Sequence, residues 1–131
     1  MNQKEINIIK KKALEDKVPI IMDDTLEAIA KILSEIKPNK ILEIGTAVGY
    51  SAICFSEYLQ DNGRIDTIER DTERVKEARE NIKKAEVEEK INIYEGDAVE
   101  ILPTLNEEYD VVFIDAAKGK YPFCLIQALR M

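Results

Sequence analysis

The sequence predicts an α/β domain built on a parallel sheet, and three observations support this. Helix-like and strand-like apolar patterns alternate along the chain. Four short segments are rich in Ile or Val, the composition of strands buried on both faces. No internal repeat, low-complexity stretch or linker interrupts the alternation, and 131 residues suit one domain. At 45% apolar residues the composition is that of an ordinary globular chain.

In chain order, the first helix is expected over residues 3–16, and Pro19 blocks its continuation through 17–23. A second helix is expected from Asp24, because Asp24 and Glu27 have capping-box spacing. Leu26, Ile29, Ala30, Leu33 and Ile36 then form one apolar stripe, ended by Pro38 and Asn39. Strands are expected over 40–44, 64–69, 90–95 and 110–114, with helices over 49–59, 72–85 and 98–102 between them. In the 72–85 helix, Val75, Ala78, Ile82 and Ala85 make the core face. A last helix is expected after Gly119, where Phe123, Leu125, Ile126 and Leu129 continue an apolar pattern without a stop signal. The single domain thus divides into N-terminal helices over 1–39 and a sheet core over 40–131, with strand order 3-2-1-4. Ending there would leave the 111–114 strand as a bare apolar edge. The expectation is a fragment lacking its C-terminal strands, or a partner on that side, with a homodimer the expected form.

Composition excludes whole classes of chemistry. The chain has no histidine, which removes Ser-His-Asp catalysis, Cys-His catalysis and histidine metal sites. Any metal must then use oxygen ligands, which points to Mg²⁺, Ca²⁺ or Mn²⁺. A net charge of −7 repels polyanions at long range and weighs mildly against nucleic acid. Lys10, Lys11 and Lys12 form a local basic run that reads as a solvated helix face or a basic patch. Cys54 and Cys124 lie in apolar helical patterns and read as buried, reduced thiols of a cytoplasmic protein. Apolar runs are too short to span a bilayer, and there is no signal-peptide pattern.

Four motifs carry the chemistry, each after an expected strand. The segment Glu43-Ile44-Gly45-Thr46-Ala47-Val48-Gly49-Tyr50-Ser51 is a strand end, a glycine-bearing turn and a helix start. Gly45 permits a tight turn and close approach of a ligand to the backbone. Gly49 opens a helix whose free N–H groups favour an anionic group, such as the carboxylate of an amino-acid tail. Glu43 could meet the amino group of that tail. A dinucleotide fingerprint would require glycine where Ala47 and Tyr50 stand, so a nicotinamide-dependent oxidoreductase is disfavoured. Glu69 ends the second strand, where nucleotide-binding folds place an acceptor for ribose hydroxyls. Asp97 follows the third strand in Gly96-Asp97-Ala98, and can cap the next helix or bind an adenine amino group. Asp115 and Lys118 follow the fourth strand in Phe113-Ile114-Asp115-Ala116-Ala117-Lys118-Gly119-Lys120-Tyr121. With the order 3-2-1-4, Asp115 falls beside the Gly45 turn, at the switch point where open α/β sheets bind ligands. A carboxylate there can bind a hard cation, and a perturbed lysine can take a proton from a hydroxyl. The alternative reading is a capping aspartate and a surface lysine.

The 43–51 and 113–121 segments together resemble the cation-dependent class I O-methyltransferases, the family of catechol and caffeoyl-CoA O-methyltransferases, with a Rossmann-like sheet. The resemblance covers about residues 5–131 and is nearest to bacterial enzymes that convert 5-hydroxyuridine in tRNA to 5-methoxyuridine. It implies S-adenosylmethionine as cofactor, with the Gly45 turn and Ser51 on the methionine moiety, Glu69 on the ribose and Asp97 near the adenine. It implies Mg²⁺ on Asp115, with Asp115 also touching the cofactor site, and Lys118 as general base. Val18-Pro19-Ile20-Ile21-Met22 resembles the family's substrate-side segment, which places Met22, or Ile21, near the cofactor. Family members supply two further metal ligands, an Asp-Asn pair, and further strands beyond the point matching Met131. The expected function is methylation of tRNA 5-hydroxyuridine. A catechol-like small acceptor and a non-catalytic cofactor-binding fragment are the alternatives.

Overall fold

A computed structural model describes residues 3–18, 20–116 and 123–129, with side chains described through residue 114. Two helices, α1 (Gln3–Glu15) and α2 (Asp23–Ile36), precede a sheet of five strands. These are β1 (Lys40–Ile44), β2 (Arg64–Glu69), β3 (Ile91–Glu95), β4 (Tyr109–Ala116) and β5 (Phe123–Leu129). Between the strands run α3 (Tyr50–Ser56), α4 (Thr72–Lys84) and α5 (Ala98–Ile101). The sheet order is β3-β2-β1-β4-β5. The first four strands are parallel in the expected order 3-2-1-4, with Glu43 opposite Thr67 and Phe113 in register.

Strand periodicity sorts the core into two layers. Ile41, Ile65, Val111 and Phe113 pack with α1 to α4, through Ile6, Ile9, Ile29, Leu33, Ile53 and Ile82. Phe113 meets Phe55 of α3 edge-on, with ring centroids 5.1 Å apart. Leu42, Ile68, Tyr109 and Val112 face the other way, toward Ile101, Leu102 and Leu105.

Several expectations are corrected. The segment carrying Phe123, Leu125, Ile126 and Leu129 is not a helix but β5, antiparallel to β4. A short apolar run fits either state, and a bare apolar edge favours the strand that pairs with it. The β4 edge is therefore covered from within the chain, and Cys124 lies on a strand. The Asp24–Glu27 box does not form: Met22 is the N-cap of α2 and no side chain caps it. Asp24 instead accepts from the N–H of Thr25 at 3.0 Å. The third helix begins after Gly49, which is its left-handed N-cap, and ends at Ser56. Among the described residues, no helix is long and apolar enough to cross a membrane.

Candidate functional site

The carboxyl ends of β1, β2, β3 and β4 bring most of the candidate residues to one end of the sheet. After Ile44 the chain leaves β1 through Gly45 at φ 101, passes Ala47 at φ 48 and enters α3 from Gly49 at φ 86. At Gly45 and Gly49 glycine takes these left-handed values without the Cβ clash that other residues meet. Gly49 is also confined by space: a Cβ there would lie 3.4 Å from that of Ala78 on α4.

Neighbouring strands fix the turn. The N–H groups of Gly45 and Thr46 both donate to the carbonyl of Ile68, at 2.9 and 3.2 Å. The N–H of Ala47 donates to Glu69 Oε1 at 2.8 Å, and the N–H of Asp71 donates to Oε2 at 3.1 Å. On the helix side, buried Asn81 of α4 donates its amide to the carbonyl of Val48 at 2.9 Å. The first bond of α3 runs from Ile53 N–H to Gly49 at 3.0 Å, so the amides of residues 50–52 precede the helical ladder.

Below the turn lies a buried polar cluster. Glu43 and Thr67 are fully buried, and Thr46 and Ser51 nearly so. Ser51 Oγ donates to Glu43 Oε2. Thr67 Oγ1 donates to Glu43 Oε1 at 2.7 Å, and the hydroxyls of Thr46 and Thr67 meet at 2.7 Å.

The other candidates are placed less closely. Asp97 is the N-cap of α5, accepting from Val99 N–H at 2.9 Å, and is exposed. Met22 precedes α2 and is 60% exposed, whereas Ile21 is buried in the core. Asp115 is placed by its backbone on β4, the strand beside β1 at the reversal of strand order. Its side chain lies outside the described residues, as does Lys118 altogether. Among the described residues, no three potential metal-ligating side chains converge. The basic run is partly neutralised. Lys10 pairs with Asp23 at 2.7 Å and Lys12 approaches Glu77 at 3.8 Å. Burial raises the Cys54 thiol to about 11, with Glu57 and Glu43 adding to the rise against the hydrogen bond from Tyr50, so it is protonated at neutral pH.

Thr46, Thr67 and Asn81 were not singled out by motif. For Thr67 the sequence carries a signal: a hydroxyl two positions before Glu69 on the same strand and so on the same face. Asn81 has no such signal, since its burial depends on how α4 meets the turn.

A glycine turn whose backbone is immobilised, beside a carboxylate held by two N–H groups, suits an amino-acid tail joined to a nucleoside. Each Glu69 oxygen has a second lone pair with which to accept a ribose hydroxyl. That arrangement agrees with the sequence comparisons. A family model described as O-methyltransferase matches residues 29–131, and the chain belongs to that family. Among curated relatives, it is 41% identical over 97 residues to a catechol O-methyltransferase of Niastella koreensis, covering 71% of this chain and 44% of the relative. It is 33% identical over 101 residues to a caffeoyl-CoA O-methyltransferase of Stellaria longipes, covering 72% and 42%. Among solved structures, the O-methyltransferase TomG from Streptomyces achromogenes, in complex with SAM (S-adenosylmethionine), superposes with a TM-score of 0.79. That alignment is 27% identical and covers 88% of this chain and 55% of TomG. The chain thus spans about half the length of the relatives it matches.

Proposed function

We propose that this chain is the cofactor-binding segment of an S-adenosylmethionine-dependent O-methyltransferase acting on a small hydroxylated acceptor. The observation that carries this reading is the 2.8 Å bond from Ala47 to Glu69, which locks the glycine turn to the strand-end carboxylate. S-adenosylmethionine supplies an electrophilic methyl group on its sulfonium. Gly45, Gly49 and Ser51 hold the methionine moiety, with Glu43 behind Ser51, and Glu69 accepts from the ribose. Asp97 and Met22 flank the adenine and the cofactor. Lys118 takes the proton from the acceptor hydroxyl. Holding acceptor and cofactor in line can supply up to roughly 7–11 kcal/mol of the acceleration. Mg²⁺ at Asp115 rests on the family resemblance and on the oxygen-only ligand set of a chain without histidine.

The substrates that the relatives' names give, catechol and caffeoyl-CoA, favour a small acceptor over the tRNA expected from sequence, and the charge of −7 points the same way. Transfer of a labelled methyl group by the protein carrying this segment tests the choice, with catechol, caffeoyl-CoA and 5-hydroxyuridine tRNA as acceptors. Transfer to a small acceptor is expected, and Lys118→Ala and Asp115→Ala should each lower it by at least about tenfold, ~1.4 kcal/mol of barrier. Transfer to tRNA alone would overturn the small-acceptor reading. Transfer to none of the three would overturn methylation of these acceptors.

A further inference from the structure

With Glu43 ionised, the hydrogen bonds of the cluster below the turn have one direction. A hydroxyl carries one proton and an ionised carboxylate carries none. Thr67 donates its proton to Glu43, so at the contact of the two threonines Thr46 must be the donor. Ser51 gives its own proton to the second Glu43 oxygen. The chain therefore runs from Thr46 to Thr67 to Glu43, and from Ser51 to Glu43, so that the carboxylate accepts from Thr67 and from Ser51.

We propose that Thr67 is a positioning residue for the cofactor's amino-acid tail: with Glu43 it fixes the only proton of Ser51 and leaves Ser51 to act as a hydrogen-bond acceptor. Ser51 lies in the first turn of α3, two residues after Gly49. An acceptor at that point recognises an ammonium group, not a carboxylate. Glu43, fully buried, then acts on the ammonium through Ser51. The carboxylate of the tail is left to backbone amides at the start of α3, which suits their polarity. Thr67 reaches this arrangement from β2, the strand that also ends in Glu69, so one strand orients both ends of the ligand.

The proposal rests on the cofactor reading above. The test is calorimetric binding to the 131-residue chain of two ligands, S-adenosylhomocysteine and its deamino analogue, which keeps the carboxylate and lacks the amine. Thr67→Val removes the hydroxyl at nearly constant volume, and Thr67→Ser keeps it. Thr67→Val should weaken S-adenosylhomocysteine by about tenfold, the size of one net hydrogen bond. The deamino analogue should bind wild type and Thr67→Val alike, and Thr67→Ser should restore tight binding of S-adenosylhomocysteine. A parallel loss for both ligands would mean that Thr67 only supports the fold locally, and would overturn the proposal. So would no loss for either. If wild type binds neither ligand, the cofactor reading itself fails. Should Thr67→Val not fold, Thr46→Val breaks the same chain one step earlier, and a smaller loss confined to S-adenosylhomocysteine is expected. An equal loss for both ligands would again overturn the proposal.

Discussion

At the scale of single residues, the site is built from groups whose freedom has been removed. Gly49 sits at φ 86, with α4 close enough that a methyl group would touch Ala78. Gly49→Ala should therefore lower stability by about 1–2 kcal/mol, the cost of a left-handed non-glycine residue. Denaturant unfolding should show a lower midpoint with an unchanged slope. Glu69 is legible in the sequence as a strand-end carboxylate, but its bonds to Ala47 and Asp71 are not, because they depend on how the turn folds back over β2. Glu43 illustrates the same limit. Its place before Gly45 marks it as part of the site, while its burial between Ser51 and Thr67 appears only once α3 is docked on the sheet.

At the scale of elements, strand boundaries were legible where the apolar run was bounded by turn residues. The strands Lys40–Ile44 and Arg64–Glu69 fall on the expected residues. The capping of α2 and the segment over β5 differ from expectation for one reason: local pattern competes with tertiary contact, and contact decides. Met22 rather than Asp24 is the N-cap of α2, after Ile21 is drawn into the core. Hidden in the apolar strands is a second polar network, at the end of the sheet away from the turn. Asp66, fully buried, accepts from Tyr109 at 2.7 Å, Asn92 at 3.1 Å and Arg64 at 3.2 Å. Arg64 also holds Glu107 at 2.7 Å, and Lys40 holds it at 2.5 Å. Hydrogen bonds from Lys40 and then Arg64 keep the Glu107 carboxyl below its ordinary 4.5. A carboxyl lowered by folding stabilises the fold above its unfolded value, and that contribution is lost as pH falls through the folded value. Thermal unfolding should therefore lose midpoint temperature below about pH 4.5, and Glu107→Gln should flatten that acid limb while lowering the midpoint near neutrality. An unchanged acid limb in the variant would show that the ion pairs add nothing to stability.

At the scale of the whole molecule, four parallel strands in order 3-2-1-4 place β1 and β4 side by side where the connections reverse, and the glycine turn stands at that point. The fold class can thus be read from alternation, and Gly45, Gly49 and Glu69, which the fold brings together, from their places at strand ends. Lys118 and the side chain of Asp115 lie outside the described residues, and the chain spans about half the length of its relatives. The measurement that bears most directly on the central claim is calorimetric titration of the folded chain with S-adenosylhomocysteine, beside Glu69→Gln. Saturable binding at one site is predicted, weakened at least about tenfold in the variant, since charge-assisted bonds to the ribose are lost. A folded chain that gives no binding, or a Glu69→Gln variant that binds as tightly as wild type, would contradict it.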